Sequence, residues 1–269
     1  CVEFPRGLLD VCLILEASDQ VTQEAIDQIE MPPWIRTLQV PKSRVTTKPK
    51  ALNYALDCAR GEIIGIYDAE DAPAPDQLHV VASGFANAPN DVGCLQGRLD
   101  YYNPTANWIT RCFTIEYAAW FRVVLPGLAR LGFAVPLGGT TIFFRRETLD
   151  KLGAWDAFNV TEDADLGIRL ARRFRTKFIS SVTEEEANGG FWLWVRQRSR
   201  WLKGYAMTYA LHMRRPFSLW RDLGAWQFFG FQLLFLGSLI QFSLAPLLWL
   251  FWLIPILGGH PFADHLPDH

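Results

Sequence analysis

Apolar positions run almost unbroken through "LLDVCLILEASD" and stop at a polar turn, which predicts a buried strand with Asp19 just beyond its C-terminal end. A helical pattern follows from Thr22, Pro32 and Pro33 break it, and a short strand is expected over residues 38–40. In "TKPKALNYALDCARGE", Pro49 stands near a helix start, Leu52, Ala55, Leu56 and Ala59 recur at helical spacing, and Gly61 is the expected C-cap. "IIGIYDAEDAPAPD" then reads as a second buried strand that ends abruptly in carboxylates. Strands alternating with helices predict an α/β domain with a largely parallel sheet. Ligands of such sheets bind beyond the C-terminal ends of the strands, where Asp19 and the Asp68 cluster are both expected.

The pattern changes after Arg221. Residues 223–259 carry no formally charged side chain, and "FQLLFLGSLIQFSLAPLLWLFWLIPIL" exceeds the roughly 20 apolar residues that cross a bilayer. One tilted helix kinked at Pro246 and one helix followed by the start of another both fit. Arg214, Arg215 and Arg221 precede the stretch and no Lys or Arg follows it, which puts the preceding domain on the cytoplasmic side of an inner or plasma membrane. Trp220, Trp226, Trp249 and Trp252 suit the interfacial belts. Just upstream, "WLKGYAMTYALHMRRP" suits a helix lying on the membrane surface or an amphipathic helix packed on the domain. The expected organisation is therefore a cytosolic α/β domain over 1–202, an interfacial segment over 203–225, a transmembrane segment over 226–258 and a tail over 259–269.

Composition narrows the partners. A net charge of -2 over 269 residues leaves no electrostatic footprint for nucleic acid. The five cysteines, Cys1, Cys12, Cys58, Cys94 and Cys112, are odd in number and lack CxxC spacing, so they read as buried thiols in a reducing compartment.

Three stretches carry chemistry. Asp68, Glu70 and Asp71 crowd carboxylates that repel one another unless a cation sits among them, and Mg²⁺ or Mn²⁺ prefers such oxygen ligands. With Lys48 and Lys50 shortly before, the cluster suggests a metal-bound diphosphate; a solvated acidic turn opening a helix at Pro75 accounts for it as well. In "NVTEDADLGIRLARR", Thr161 is a natural N-cap with Glu162 and Asp163 in the first turn, where a carboxylate stays ionised and fixed in direction, as a general base requires. Gly138 and Gly139 form a turn that lets a ligand approach backbone, or a simple hairpin turn. In "VRQRSRWLKG", Gln197, Arg200 and Trp201 fall on one helical face.

The order of these pieces resembles the family 2 glycosyltransferases, specifically the processive, cellulose-synthase-like membrane enzymes. The matching residues are Asp19, Lys50 with Asn53, Asp68-Ala69-Glu70-Asp71, Thr161-Glu162-Asp163 and Gln197-Arg198-Ser199-Arg200-Trp201, over roughly residues 5 to 258. The resemblance implies a GT-A, Rossmann-like fold that uses a UDP-sugar and Mg²⁺ or Mn²⁺. By analogy Asp163, with Glu162, is catalytic. Asp19, Lys48, Lys50, Asn53, Asp68, Gln197 and Arg200 bind the donor, and Asp68, Glu70 and Asp71 hold the metal. Trp201, with Gly138, Gly139 and Thr140, receives the acceptor. Direct displacement would invert the anomeric centre. Family members begin with a strand and helix upstream of "FPRGLLDV", so the chain is expected to be an N-terminally truncated, incomplete form.

The expected activity is transfer of a hexose or N-acetylhexosamine to a growing β-glycan at the bilayer, with synthase subunits as further partners. Two other readings stay open: transfer of one sugar to a polyprenyl phosphate, and a catalytically degenerate sugar-nucleotide- or glycan-binding membrane protein.

Overall fold

The computed structural model describes residues 2–257. The chain opens with β1 (Val11–Glu16), α1 (Gln20–Asp27) and β2 (Ile35–Val40), the two strands pairing in parallel. It continues through α2 (Lys48–Cys58), β3 (Ile63–Ile66), the two-residue β4 (Ala72–Pro73), α3 (Gln77–Ala86) and β5 (Val92–Tyr101). Helices α4 (Trp108–Ala119) and α5 (Leu125–Arg130) follow, joined by a π-helical turn over Trp120–Val124. Then come β6 (Ile142–Arg145), α6 (Arg146–Leu152), α7 (Glu162–Ala171) and β7 (Arg175–Glu185). Three long helices end the described chain: α8 (Phe191–His212), α9 (Pro216–Phe231) and α10 (Gly237–Leu257).

The main sheet has the order β3-β6-β5-β7-β4. Its strands β3, β5 and β7 point the same way, with β6 inserted antiparallel between β3 and β5 and the short β4 antiparallel on the β7 edge. Successive strand residues face opposite sides, so Phe143 and Phe144 of β6 anchor two different cores. Phe144 packs with Leu149, Trp155, Leu166 and Leu170 under α6 and α7, whereas Phe143 packs with Val81, Phe85, Leu95 and Ile179 under α3. Each phenylalanine is at most 1 % exposed, a burial worth roughly 1.5–3 kcal/mol per side chain. A helix layer on each face makes the sheet the middle of three layers.

Local signals account for several boundaries. Pro49 sits in the first turn of α2, where its missing N–H costs nothing. Asn107 caps α4 in a reciprocal capping box with Thr110. Gly153 ends α6 at φ 74, a conformation glycine adopts without steric penalty. The expected cap at Gly61 is displaced: α2 stops at Cys58 with Ala59 as its C-cap. The expectation of buried thiols holds for Cys94 alone among the described cysteines; Cys12 and Cys58 are half-buried and Cys112 is exposed.

The C-terminal helices divide in two. α8 passes the expected boundary at residue 202 without a break and buries Gly204, Thr208 and His212 on the domain, the packed alternative for this segment. Leu219, Leu223, Phe231 and Phe235 pack against Ala134 and against Ala164 and Ile168 of α7. The first residues of the expected transmembrane segment are thus partly core of the domain. Gly224, at φ 75, breaks the helical dihedrals of α9 so that both of its halves can lie on that surface. Beyond Phe235 the side chains turn outward, with Phe242, Leu247 and Trp249 all exposed. Pro216–Leu250 is the one helical stretch among the described residues long and apolar enough to cross a membrane. The side chain of Trp252 and the tail at 259–269 lie outside what the structure describes.

Candidate active site

Segments far apart in sequence enclose one cavity of about 660 Å³. α2 contributes Lys48 at its start, the turn after β3 contributes Asp68 and Glu70, and the loop before β6 contributes Gly138, Gly139 and Thr140. The first turn of α7 supplies Glu162 and Asp163, and the end of β7 supplies Glu185. α8 closes the opposite side with Gln197, Arg200 and Trp201, and α10 adds Ser238 and Phe242. Asp68 lies just past the C-terminal end of β3, the usual ligand side of such a strand.

Lys48 ties the floor together. Its ammonium pairs with the Asp68 carboxylate and donates to the Gly139 carbonyl at 3.0 Å. Asp71 lies beneath: its Oδ2 accepts from the Asp68 amide at 2.8 Å and from the Thr140 hydroxyl, so it shapes both loops without lining the cavity. Its other oxygen, Oδ1, is buried without a partner, and burial raises its carboxyl above the ordinary value.

The carboxylates around this floor are displaced upward. Asp163 is pushed up to about 6 by burial, partly offset by the Ala164 amide, which donates to its Oδ1 at 2.7 Å, and by the charge of Lys48. Glu162 rises to about 7, through burial first and then the charge of Asp163. Glu185 rises to about 8, through burial first and then the charges of Asp71, Asp68 and Glu70. Counting Glu116, six carboxylates line the cavity against three cations, Lys48, Arg198 and Arg200. A divalent cation suits that balance. Among the described residues no three ligands already converge on one point. Magnesium is commonly held by one or two carboxylates together with substrate phosphates, and the Asp68 and Glu70 carboxylates on the cavity wall are of the type it takes.

The α8 wall is built around Arg198, which the sequence pattern included but gave no role. Its guanidinium pairs with Glu116 of α4 and lies 5.0 Å from the Trp201 ring centroid and 5.2 Å from that of Phe113. One face of Trp201 is therefore covered, which leaves an acceptor only the ring's remaining surface. Gln197 is oriented by Asn188, whose amide donates to it at 3.1 Å. Thr161 departs from its expected role. It stands at the N-cap of α7, but its side chain makes no cap bond and instead meets the Thr208 hydroxyl of α8 at 3.2 Å. A Cβ on Gly204 would fall 2.3 Å from Thr161 Cγ2, so only glycine lets α8 come this close to the turn bearing Asp163.

A family model described as glycosyl transferase family group 2 matches residues 63–260, more than half of the chain. The chain belongs to this family. It is 25% identical over 247 residues to the probable glycosyltransferase YdaM of Bacillus subtilis, covering 88% of this chain and 58% of YdaM. It is 29% identical over 214 residues to the beta-monoglucosyldiacylglycerol synthase of Trichormus variabilis, covering 77% of this chain and 44% of that protein. The chain thus spans about half the length of the curated relatives it matches. In structure it is similar to the mannosyltransferase PcManGT of Pyrobaculum calidifontis, solved with GDP-Man and Mn²⁺. The TM-score is 0.62 at 21% identity, over 98% of this chain and 71% of that one. The fold is GT-A.

Four residues that the family 2 pattern singled out lie off the cavity. Asp19 caps α1, accepting from the Thr22 amide at 3.1 Å and its hydroxyl at 2.7 Å, and is exposed. Lys50 reaches the Glu16 carboxylate at 3.3 Å and the Pro41 carbonyl at 2.8 Å. Asn53 clamps Trp155, donating to its carbonyl at 2.8 Å and accepting from its amide at 3.0 Å. The fourth, Asp71, is bound by the loop bonds described above. In each case a polar partner within the protein engages the group, although Asp71 keeps one oxygen unbonded.

Proposed function

We propose that this chain is the catalytic part of an inverting transferase that moves a hexose or N-acetylhexosamine from a UDP-sugar to a hydroxyl at a membrane surface. The observation that carries this reading is the convergence of Asp68, Asp163 and Trp201 on one cavity that the apolar helix α10 helps to close. Asp163 takes the proton of the acceptor hydroxyl; the oxygen attacks the anomeric carbon; the bond from that carbon to the diphosphate oxygen breaks and its electron pair leaves on UDP. Attack opposite the leaving group inverts the centre, so an α-linked donor yields a β-linked product. Lys48 and Arg200 offset charge gathering on the diphosphate. Mg²⁺ or Mn²⁺ held by Asp68 and Glu70 would supply further charge neutralisation there.

Two acceptors are separable. The Gln197–Trp201 face, read with the family resemblance, supports a growing β-glycan passed towards the bilayer, with the domain on the cytoplasmic side. Ser238 and Phe242 in the cavity wall support a lipid alcohol entering from the membrane side, in line with the name of the Trichormus relative, a beta-monoglucosyldiacylglycerol synthase. The test is UDP release with each acceptor. Asp163→Asn is expected to lower turnover by about 10²–10⁴-fold, and turnover near wild type would overturn the assignment of the base. A product carrying one sugar on lipid supports the second acceptor, and a polymer supports the first.

A further inference from the structure

α7 has a polar cavity on each side. Residues two apart on a helix point in nearly opposite directions. Asp163 faces the cavity just described, and Asp165 lines a second cavity of about 550 Å³ between α7, the end of α8 and the start of α9. No residue lines both.

The second cavity is rich in guanidinium groups: Arg169, Arg172, Arg214 and Arg215 face Asp156 and Asp165. Both oxygens of Asp165 are already engaged, Oδ2 by Arg169 Nε at 2.7 Å and Oδ1 by His212 Nε2 at 2.9 Å. Arginine only donates, so the 2.8 Å contact from Arg172 Nη2 makes His212 Nδ1 the acceptor and leaves Nε2–H to donate to Asp165. Arg169 Nη1 donates to the Leu152 and Ala154 carbonyls at 2.8 and 2.7 Å. Asp222 approaches Arg172 Nη1 at 3.6 Å. After all of these bonds, Arg169 Nη2 and Arg172 Nε remain buried without any partner. Arg214 and Arg215 are exposed at the rim and enter none of the ion pairs among the described residues.

Buried N–H groups of a permanent cation are costly to leave unbonded, and these two belong to arginines that line a cavity flanked by further cations. The first segment of α9, residues 216–223 before the break at Gly224, starts at the same rim with no side chain capping it, which adds the amides of Phe217 and Ser218 and the positive end of a short helix dipole. Planar guanidinium forks with backbone amides match the tetrahedral oxygens of phosphate. We propose that this cavity is a second anion site, which binds a phosphate group of a lipid headgroup or of a soluble phosphate. Phe217 and Trp220 are exposed on α9 beside the rim, which gives a headgroup a route in from the membrane surface.

The test uses the full chain in neutral detergent, with inorganic phosphate titrated at constant ionic strength and thermal unfolding as the readout. A parallel titration compares phosphatidylglycerol with phosphatidylcholine. Wild type is expected to give a saturable rise in Tm, and the Arg214→Ala/Arg215→Ala variant to need at least about tenfold more anion for the same rise. Arg221→Ala, an exposed charge outside the cavity, controls for general electrostatics and is expected to match wild type. Arg172→Lys keeps the charge but loses the fork, and is expected to weaken binding while the protein stays folded by circular dichroism. A response to phosphatidylglycerol that free phosphate competes away assigns a lipid headgroup; a response to phosphate alone assigns a soluble anion. Phosphate binding that survives the double substitution, or an equal loss in Arg221→Ala, would overturn the proposal.

Discussion

The two cavities flanking α7 use the same residue types to opposite ends. On one side Asp163 has no cation bonded to it, and burial lifts its carboxyl to about 6. On the other, burial acts on Asp165 as well, but hydrogen bonds from His212 and the charge of Arg169 more than offset it and hold the carboxyl below the ordinary value. One aspartate is left able to take a proton near neutral pH; the other is a permanently charged brace. Two residues of helix separate a carboxyl raised by burial from one held down by its cationic partners.

The contrast breaks most visibly at Asp165. Its side chain is 1 % exposed and holds both Arg169 and His212, so Asp165→Ala is expected to cost about 3–5 kcal/mol in chemical denaturation. By comparison, Asp163→Asn should leave stability nearly unchanged or improved while abolishing most turnover. Next in size is Gly204→Ala, whose methyl group meets Thr161. Overpacking there is expected to cost about 1–3 kcal/mol and to lower kcat by shifting the turn that bears Asp163.

A finer probe is pH. Turnover that needs ionised Asp163 should rise with pH through about 6, and since Lys48 lowers that value, Lys48→Met is expected to move the acid limb upward. A limb that stays in place would separate Asp163 from the titrating base. A last probe concerns Glu185, whose folded value of about 8 lies above the ordinary 4.5. The folded state holds this proton more tightly, so its stabilising contribution is complete below about 4.5 and is lost as pH rises through 8. Glu185→Gln is expected to flatten the fall in Tm between pH 5 and pH 8.

What could be read from the sequence follows the range of the underlying force. Helical spacing already put Gln197, Arg200 and Trp201 on one face, and all three line the cavity. The run ending at Ile66 already put Asp68 past a strand end. Capping is ambiguous in both directions. Asp19, expected at the donor, caps α1, while Thr161, expected to cap α7, bonds across to Thr208. A hydroxyl or carboxylate at a helix start looks the same in sequence whether its partner is the next amide or a residue 47 positions away. Arg198, part of the matched stretch, received no role because its partners, Glu116 and Phe113, come from α4.

The amino-acid order by itself determined the alternation of strands and helices, the apolar C-terminal stretch and the residue types available for sugar-nucleotide chemistry, since periodicity and local bonding act within a few residues. Only the tertiary structure decided which carboxylates meet, which stay unpaired, and that α7 separates an acidic cavity from a guanidinium-lined one. Burial and charge pairing depend on neighbours brought from distant segments, and no local pattern encodes them.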